Sequence, residues 1–393
     1  MGNYTREEIL AMAEEEDVEF IRLQFTDMFG TLKNIAITAR ELPRALDNQC
    51  VVYGSHIAGI VGEKEPDLIL YPDYDTFSIL PWRPQQGKVA RLICDMRRAD
   101  GSEHEMSSRY ILKKTAQAAE EAGYTCYVDP ECEFFLFHID DNGMPTTVSH
   151  EKAGYLDVSP VDLGENARRD MVLTLEDMGF EVESSHHETA PAQHEIALHY
   201  GEAREMADAV MTFKMAVRTV AKRHGLHATF MPKPRREVNG SAMHIHFSLF
   251  KNERNIFVDP DDPSKLSNEA CYFIGGLLAH SREMALITNP LVNSYKRLVP
   301  GFDAPTELTW TRNNQNSLVM IPESSFEARM LHPTHTLFLR YAWQRAWMES
   351  RRRSIRQKLL TVLFPSRTRR NRVSRIYRRI YGKRSHCLRK VTG

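Results

Sequence analysis

The chain has 393 residues, of which 42% are hydrophobic and 9% aromatic, so it is long enough for two globular domains with a sizeable core. Its six cysteines are scattered without a CxxC pair, which favours a reducing cytosol over a disulfide framework. The acidic, amphipathic N-terminus is unlike a signal peptide, and no stretch is apolar for long enough to cross a bilayer, so we expect a cytoplasmic protein.

The first 103 residues predict a small α+β domain. A helix from Arg6 to about Glu16 precedes three short apolar strands, which are FIRLQFTD, LKNIAIT and ARLICDM. Proline-containing turn signals separate these strands. The polar linker GSEHEMSS then leads into a second predicted domain, residues 104–337.

Helices alternate with charged strands in the second domain. The predicted helices begin near residues 109, 165 and 203 and end at glycines 123, 179 and 225, and a strand follows each glycine. The strands carry the charges and the helices carry the apolar stripes. This division predicts a sheet with one face covered by helices and the other lining a cavity.

Three segments place acidic or imidazole side chains on alternate residues: PECEFFLF (130–137), HHETAPAQHE (186–195) and NGSAMHIHFS (239–248). Period-two spacing directs Glu131 and Glu133, or His244 and His246, to the same side of a sheet. Buried carboxylates on one face repel each other unless cations separate them. The pattern therefore predicts a metal site, and its carboxylate-rich chemistry favours Mg²⁺ or Mn²⁺ over zinc.

Simpler explanations exist for each of these features. The two glutamates could lie on a solvated strand edge, and the histidines at 186, 187 and 194 could be surface residues. In NSYKRLVPGFDAP, Lys296 and Arg297 could form a solvated patch or hold an anion at the rim of a cavity. There is no Walker loop and no GxGxxG motif, so a nucleotide would be held by metals and side chains.

The chain resembles class I bacterial glutamine synthetases almost continuously from about Val18 to about Pro333. The segments that carry the resemblance are YPDYDTFSILPW, PECEFFLF, HHETAPAQHE, HATFMPKP, NGSAMHIHFS and NSYKRLVPG. The resemblance implies an α+β fold, with an N-terminal β-grasp domain and a catalytic domain of antiparallel β-strands backed by α-helices. It also implies a homo-oligomer of two stacked hexameric rings with active sites between neighbouring subunits.

The implied activity is ATP-dependent ligation of ammonia to the γ-carboxylate of L-glutamate through γ-glutamyl phosphate, with two Mg²⁺ or Mn²⁺ ions per site. The resemblance assigns the metal nearer glutamate to Glu133, Glu188 and Glu195, and the metal on the ATP phosphates to Glu131, His244 and Glu327. It assigns ATP contacts to Glu183, His246 and Ser248. It assigns glutamate contacts to Asn239, Gly240, Arg297, Asp303 and Arg329.

Several positions depart from the family pattern. Tyr53 and His56 occupy the turn in which the family carries an ammonium-binding aspartate, and a phenol with a pKa near 10 is a poor base at neutral pH. Asp303 replaces the family's flap glutamate, while Gln315 and Met320 replace arginines. We therefore expect weak activity or a shifted amine specificity. The alternatives are a glutamate ligase for another amine and a catalytically impaired binding or regulatory homologue.

The last part of the chain has a different composition. From Phe338 to the end, fifteen arginines and three lysines face one acidic residue, giving +17 within a total of −1. An arginine-rich tail is typical of a nucleic-acid or membrane-surface arm, but that function would depend on the tail alone. Residues 338–393 lack a periodic apolar face, and their self-repulsion predicts disorder.

A frameshift explains the tail better. If YAWQRAWMES (341–350) is written as possible codons and read from the third base of each, it translates as CLAAGLDGI. That string resembles the helix that the family carries at this point. We therefore predict that residues from about His335 onward arise from a frameshift in the gene or in its sequencing, which the nucleotide sequence would reveal.

Overall fold

A computed structural model describes residues 4–57, 67–83, 86–259, 261, 266–312, 316–321 and 328–332 of the chain. Only the backbone is described for residue 286 and for 328–332. The predicted tail, Glu327 and Gln315 lie outside the described residues.

The helices and strands follow one another in the order that the sequence predicted. The first part contains α1 (Arg6–Glu15), β1 (Val18–Thr26), β2 (Leu32–Thr38), α2 (Leu42–Leu46), β3 (Cys50–Val52), β4 (Leu68–Ile79), β5 (Lys88–Arg98) and α3 (Ser108–Glu120). Next come β6 (Thr125–His138), α4 (Glu165–Glu176), β7 (Val182–His187), β8 (Gln193–Leu198), β9 (Gly201–Glu202), α5 (Ala203–Arg223) and β10 (Leu226–Thr229). The remainder contains β11 (Met243–Lys251), β12 (Arg254–Asn255), α6 (Asn268–Thr288), α7 (Val292–Arg297), β13 (Glu307–Thr311), β14 (Ser317–Met320) and β15 (Ala328–His332).

The chain divides into two compact units. The first comprises the residues up to Lys114 together with Cys132–His199 and Arg204–Phe230. The second comprises Thr115–Glu131, Tyr200–Ala203 and the residues from Met231 onward. Because β6 passes from one unit to the other between Glu131 and Cys132, each half of the strand belongs to a different unit.

The first unit begins with a five-stranded sheet in the order β2-β1-β5-β4-β3. The central pair β1 and β5 is parallel, and the other pairs are antiparallel. Alternate residues of β1 point inward, so that Ile21 and Leu23 are fully buried together with Ile9 of α1. This is the predicted β-grasp domain, and its helix and three predicted strands are confirmed.

A second antiparallel arrangement in the first unit consists of the C-terminal half of β6, β8, β7 and β10. Helices α4 and α5 supply its apolar cover. Met171 and Leu175 of α4 are fully buried, and the Phe213 ring of α5 lies 6.4 Å from the Phe134 ring of β6. The predicted alternation of apolar helices and charged strands is confirmed here.

The second unit contains the strand order β13-β14-β15-β11, continued by β6. The pairs β11–β15 and β14–β15 are antiparallel as predicted, whereas β13 and β14 run parallel. On β11, Met243, Ile245 and Phe247 are fully buried. The intervening residues His244 and His246 therefore face the other side of the strand.

The cysteines differ in one respect from the prediction. Cys50, Cys94, Cys126 and Cys132 are free, whereas Cys271 is disulfide-bonded. Among the described residues, no helix combines the length and the apolar character needed to cross a membrane.

Candidate functional site

A row of three polar side chains crosses the sheet of the first unit. His186 on β7 lies opposite Glu195 on β8, and Glu195 lies opposite Glu133 on β6. Directly opposed residues of an antiparallel pair point to the same face with their Cβ atoms about 5 Å apart. We call these three residues, together with Glu188 directly after β7, the acidic row.

The acidic row is largely withdrawn from water. Glu133 is 6% exposed and Glu195 is 5% exposed, so Glu133 does not lie on a solvated strand edge. His186 Nε2 lies 2.9 Å from Glu188 Oε1 and 3.9 Å from Glu195 Oε1. Gln193 Nε2 donates to Glu133 Oε2 at 2.7 Å. The ligand atoms of His186, Glu188 and Glu195 all lie within 4.8 Å of one another.

The opposite face of the same strands carries two buried histidines. His187 and His194 are fully buried and oppose each other in the β7–β8 register. The explanation that they are surface histidines is therefore wrong. Because neighbouring residues of a strand point to opposite faces, His186 joins the acidic row while His187 packs behind it.

A second group of polar side chains lies in the second unit. His244 Nδ1 lies 3.1 Å from Glu131 Oε2, and His246 Nε2 lies 3.0 Å from Glu131 Oε1. Burial raises the pKa of the Glu131 carboxyl, but the hydrogen bonds from the two histidines outweigh burial and hold this pKa well below its usual value. Asp129 joins the group, because its ligand atom lies within 4.8 Å of those of Glu131 and His246. We call Asp129, Glu131, His244 and His246 the histidine–carboxylate group.

Most of the residues that the resemblance assigned to glutamate also come together. Asn239 Nδ2 donates to Asp303 Oδ2 at 2.5 Å, and Arg297 Nη2 donates to the Asp303 backbone oxygen at 3.1 Å. A Cβ atom on Gly240 would collide with the Pro232 backbone oxygen and would lie 3.1 Å from Arg297 Cγ. Only glycine fits where the backbone passes this close to Arg297.

Arg297 and Lys296 have different environments. Arg297 is 2% exposed, so it is not part of a solvated patch, whereas Lys296 is exposed. Asp303 has a φ of +45°, a left-handed backbone that a residue with a Cβ adopts only when its surroundings hold it there. Its bonds to Asn239 and Arg297 provide that support.

For the other predicted site residues, the structure shows no side-chain hydrogen bond or ion pair with these groups among the described side chains. Tyr53 is 68% exposed, and its ring centroid lies 5.8 Å from that of His56 in a T-shaped arrangement. Glu183 is exposed on β7, and Ser248 is buried on β11. The backbone of Arg329 pairs with His246 and with Met320. The roles assigned to these residues stay predictions.

Three polar residues near the groups were missed by sequence reasoning. Gln193 donates to Glu133, and Asp129 belongs to the histidine–carboxylate group. Each lies two residues before a predicted ligand, Glu195 and Glu131 respectively. That spacing was a usable signal. Glu151 lies 36 residues before its partner His187, and nothing in the local pattern indicates this pairing.

The donor atoms of both groups suit a divalent cation. Two nearly buried carboxylates on directly opposed residues repel each other unless a positive charge lies close by. Carboxylate oxygens with one or two imidazoles form the donor set that Mg²⁺ and Mn²⁺ accept. The residues present therefore fit the metal-dependent chemistry that the family pattern implies.

Comparison with known proteins identifies the family. The family model described as glutamine synthetase, beta-Grasp domain, matches residues 17–99, and the one described as glutamine synthetase, catalytic domain, matches residues 105–346. The second match extends beyond Pro333, the predicted end of the resemblance, and into the segment from about His335 that was predicted to be frameshifted.

Curated relatives and solved structures agree with the family models. The glutamine synthetase of Clostridium saccharobutylicum is 56% identical over 322 residues, which are 82% of this chain and 73% of that protein. The glutamine synthetase of Staphylococcus aureus strain MRSA252 is 46% identical over 362 residues, 91% of this chain and 80% of the relative.

Among solved structures, a Plasmodium falciparum glutamine synthetase has a TM-score of 0.80 at 25% identity and covers 89% of this chain and 76% of its own. The structure titled apo GmaS without ligand has a TM-score of 0.79 at 28% identity, covering 87% of this chain and 80% of its own. From its two family-model matches and its relatives of about half identical sequence, this chain belongs to the glutamine synthetase family.

Proposed function

We propose that this chain uses ATP to join ammonia to L-glutamate, with the acidic row and the histidine–carboxylate group each holding one divalent cation. Family membership supports ATP-dependent glutamine synthesis. The finer proposal assigns one cation to Glu133, Glu188 and Glu195. It assigns the other to Glu131 and His244, with Glu327 completing that set in the proposal.

The opposition of Glu133 and Glu195 across β6 and β8 is the observation that carries the proposal. Both side chains are almost fully buried, and both point to the face that carries His186. Two like charges in this position destabilise the fold unless a cation compensates them. A protein that needed these strands only for packing would be more stable with apolar residues at both positions.

The reaction has two steps. The γ-carboxylate of glutamate attacks the γ-phosphorus of ATP, the bond to the β-phosphate oxygen breaks, and ADP leaves. Ammonia then attacks the resulting acyl phosphate, inorganic phosphate leaves, and the nitrogen loses a proton to give glutamine. When bound, divalent cations neutralise the negative charge of the phosphoryl oxygens during transfer.

The residues of the second unit supply binding and proton transfer. Buried Arg297 provides a fixed positive charge for a carboxylate of glutamate, and the Gly240 backbone packs closely against the Arg297 side chain. The Asp303 carboxylate accepts a hydrogen bond from Asn239 at Oδ2, so we assign proton uptake from the attacking nitrogen to Oδ1. Tyr53 is exposed and is a poor base, so Asp303 takes this role in the proposal.

The test compares phosphate release from ATP by the unmodified chain and by Glu133→Gln, with glutamate and ammonia present or absent. We expect release that requires both substrates, and a loss of about 10²-fold or more in the variant, because a charged ligand is replaced by a neutral one. Mn²⁺ binding, measured without nucleotide, should weaken in parallel. Glu176→Gln removes an exposed carboxylate at the end of α4 and should leave both measurements within twofold.

Two results would contradict the proposal. Folded Glu133→Gln with unchanged Mn²⁺ affinity and unchanged phosphate release would remove Glu133 from the metal ligands. Phosphate release that another amine supports and ammonia does not would favour the alternative ligase. The homo-oligomeric ring assembly and the cytoplasmic location are further proposals from family membership, and the mass of the purified protein in solution tests the first.

A further inference from the structure

A buried polar cluster lies behind the acidic row. Ligand atoms of Glu151, Asp162, His187 and His194 lie within 4.8 Å of one another, and all four residues are buried. Arg168 also enters this cluster, with Nη2 2.8 Å from Asp162 Oδ2 and Nη1 2.9 Å from His194 Nδ1.

Arg168 makes a metal ion in this cluster unfavourable. An arginine N–H can only donate, so His194 Nδ1 accepts, and the lone pair that a metal would need is already used. A cation would also be repelled by the guanidinium, so the cluster needs another explanation.

Glu151 is the centre of the contacts in this cluster. One of its oxygens, Oε1, lies 2.5 Å from His187 Nε2 and accepts from the Ala192 backbone N–H at 2.6 Å. The other, Oε2, accepts from the Leu163 backbone N–H at 2.9 Å. A single carboxylate therefore joins the end of β7, the β7–β8 turn and the loop before α4.

His187 transmits this contact to the acidic row. Its Nδ1 lies 2.6 Å from the backbone oxygen of Glu188, and a carbonyl oxygen can only accept, so Nδ1 carries a proton. With Nε2 directed at the Glu151 carboxylate, the ring is held at both ends. This fixes the peptide from which the Glu188 side chain extends.

Ala192 needs support from its surroundings. Its φ is +68°, a left-handed conformation that is unfavourable for a residue with a Cβ. The bond from its N–H to Glu151 holds it there, three residues before Glu195. A second bond, from Glu188 N to Gln193 O at 2.7 Å, closes the same turn.

We propose that Glu151 is a positioning residue that fixes the β7–β8 turn and thereby sets the separation and direction of the Glu188 and Glu195 carboxylates. The inference rests on the proposed function, in which these two carboxylates hold a divalent cation. Glu151 itself lies on the other side of the strands and holds no cation.

The test replaces Glu151 by glutamine. The amide has the same size, but its N–H₂ group replaces either the oxygen that contacts His187 and Ala192 or the oxygen that contacts Leu163. At least one of the three contacts is therefore lost. Asp27→Asn is the matched control, because Asp27 is equally buried and accepts from the backbone N–H groups of Phe29 and Thr31. That turn joins β1 to β2 in the β-grasp domain.

Three measurements are made on the full chain: Mn²⁺ affinity without nucleotide, hydrogen–deuterium exchange of residues 186–195, and kcat as Mn²⁺ is raised. For Glu151→Gln we expect about tenfold weaker Mn²⁺ binding, as is typical when a residue supporting metal ligands is lost. We also expect faster exchange in 186–195, and recovery of kcat at saturating Mn²⁺. Asp27→Asn should lower the melting temperature but leave Mn²⁺ affinity within twofold.

Unchanged exchange in Glu151→Gln would overturn the proposal. Faster exchange with unchanged Mn²⁺ affinity would also overturn it, provided that Glu195→Gln weakens Mn²⁺ binding. If Glu195→Gln has no effect on Mn²⁺ binding, the proposed function fails first and the role of Glu151 falls with it. If Glu151→Gln does not fold, Glu151→Asp takes its place. Aspartate keeps the charge but its shorter side chain moves the oxygens away from their donors, so we expect a loss of Mn²⁺ affinity smaller than that expected for Glu151→Gln.

Discussion

Replacing Arg109 by methionine should destabilise the first unit strongly and in a pH-dependent way. The Arg109 guanidinium donates to three carboxylates, those of Asp73 at 2.5 Å, Asp95 at 2.8 Å and Asp208 at 2.9 Å. Its side chain is 9% exposed. Methionine would fill most of the space without supplying the charge.

The size of the destabilisation depends on the contacts that remain after Arg109 is replaced. Removing one partner of a buried ion pair costs about 3–5 kcal/mol because an uncompensated charge stays behind. Lys113 still lies 2.5 Å from Asp95 and 3.6 Å from Asp73, so Asp208 loses the most. Burial, with a smaller contribution from the charge of Arg109, lowers the pKa of Arg91 to about 10 against the opposing charge of Asp208. Removing Arg109 relieves its repulsion of Arg91, which offsets part of the loss. We therefore expect the lower end of the range, about 3 kcal/mol at pH 7.

The pH dependence follows from the carboxylates. Burial raises the pKa of Asp73 and Asp95, but the Arg109 charge outweighs it and the net shift is downward. A folded pKa below the unfolded value of about 3.9 stabilises the protein above that pH, and this stabilisation is lost as the pH falls through the folded pKa. Without Arg109 the depression becomes smaller, because Lys113 is left to oppose burial at Asp73 and Asp95. The difference between the two proteins should be largest near pH 7 and shrink below about pH 4.

Urea unfolding followed by tryptophan fluorescence, at one protein concentration and at pH 7 and pH 4, measures this difference. Lys114→Met removes the same charge from an exposed position on α3 and should change the free energy of unfolding by less than about 0.5 kcal/mol. If Arg109→Met lowers the free energy of unfolding by less than about 1 kcal/mol at pH 7, or by the same amount at both pH values, the buried Arg109 charge does not stabilise the first unit as proposed.

Three further changes have defined outcomes. Gly240→Ala places a Cβ against the Pro232 backbone oxygen, so we expect about 1–3 kcal/mol of destabilisation together with a raised KM for glutamate; an unchanged KM would argue against this backbone in glutamate binding. Ser267→Ala removes the side-chain oxygen that accepts from Ala270 N at 3.1 Å at the start of α6, and thermal unfolding should show a loss of about 1–2 kcal/mol, with no loss if solvent replaces the cap. Tyr53→Asp restores the carboxylate of the family pattern and should raise kcat/KM for ammonia by about 10²-fold, whereas an unchanged value would mean that Tyr53 does not limit the reaction.

The local patterns predicted the elements and one face of each strand correctly. Alternation along PECEFFLF and NGSAMHIHFS separated Glu131, Glu133, His244 and His246 from their buried apolar neighbours, and β6 and β11 confirm this division. Period-two spacing is a property of the extended backbone itself, so it can be read without knowledge of the partner strand. The glycines that end α3 and α4 gave helix ends for a similarly local reason.

The sequence by itself determined which of the candidate ligands share a strand face, because that depends on backbone geometry over a few residues. Only the tertiary structure decided which of these side chains contact one another. The register places Glu195 between His186 and Glu133, and packing against helices buries His187 and His194. Glu151 reaches His187 over 36 residues and Asn239 reaches Asp303 over 64. Such contacts depend on how distant segments pack, and no local spacing encodes them.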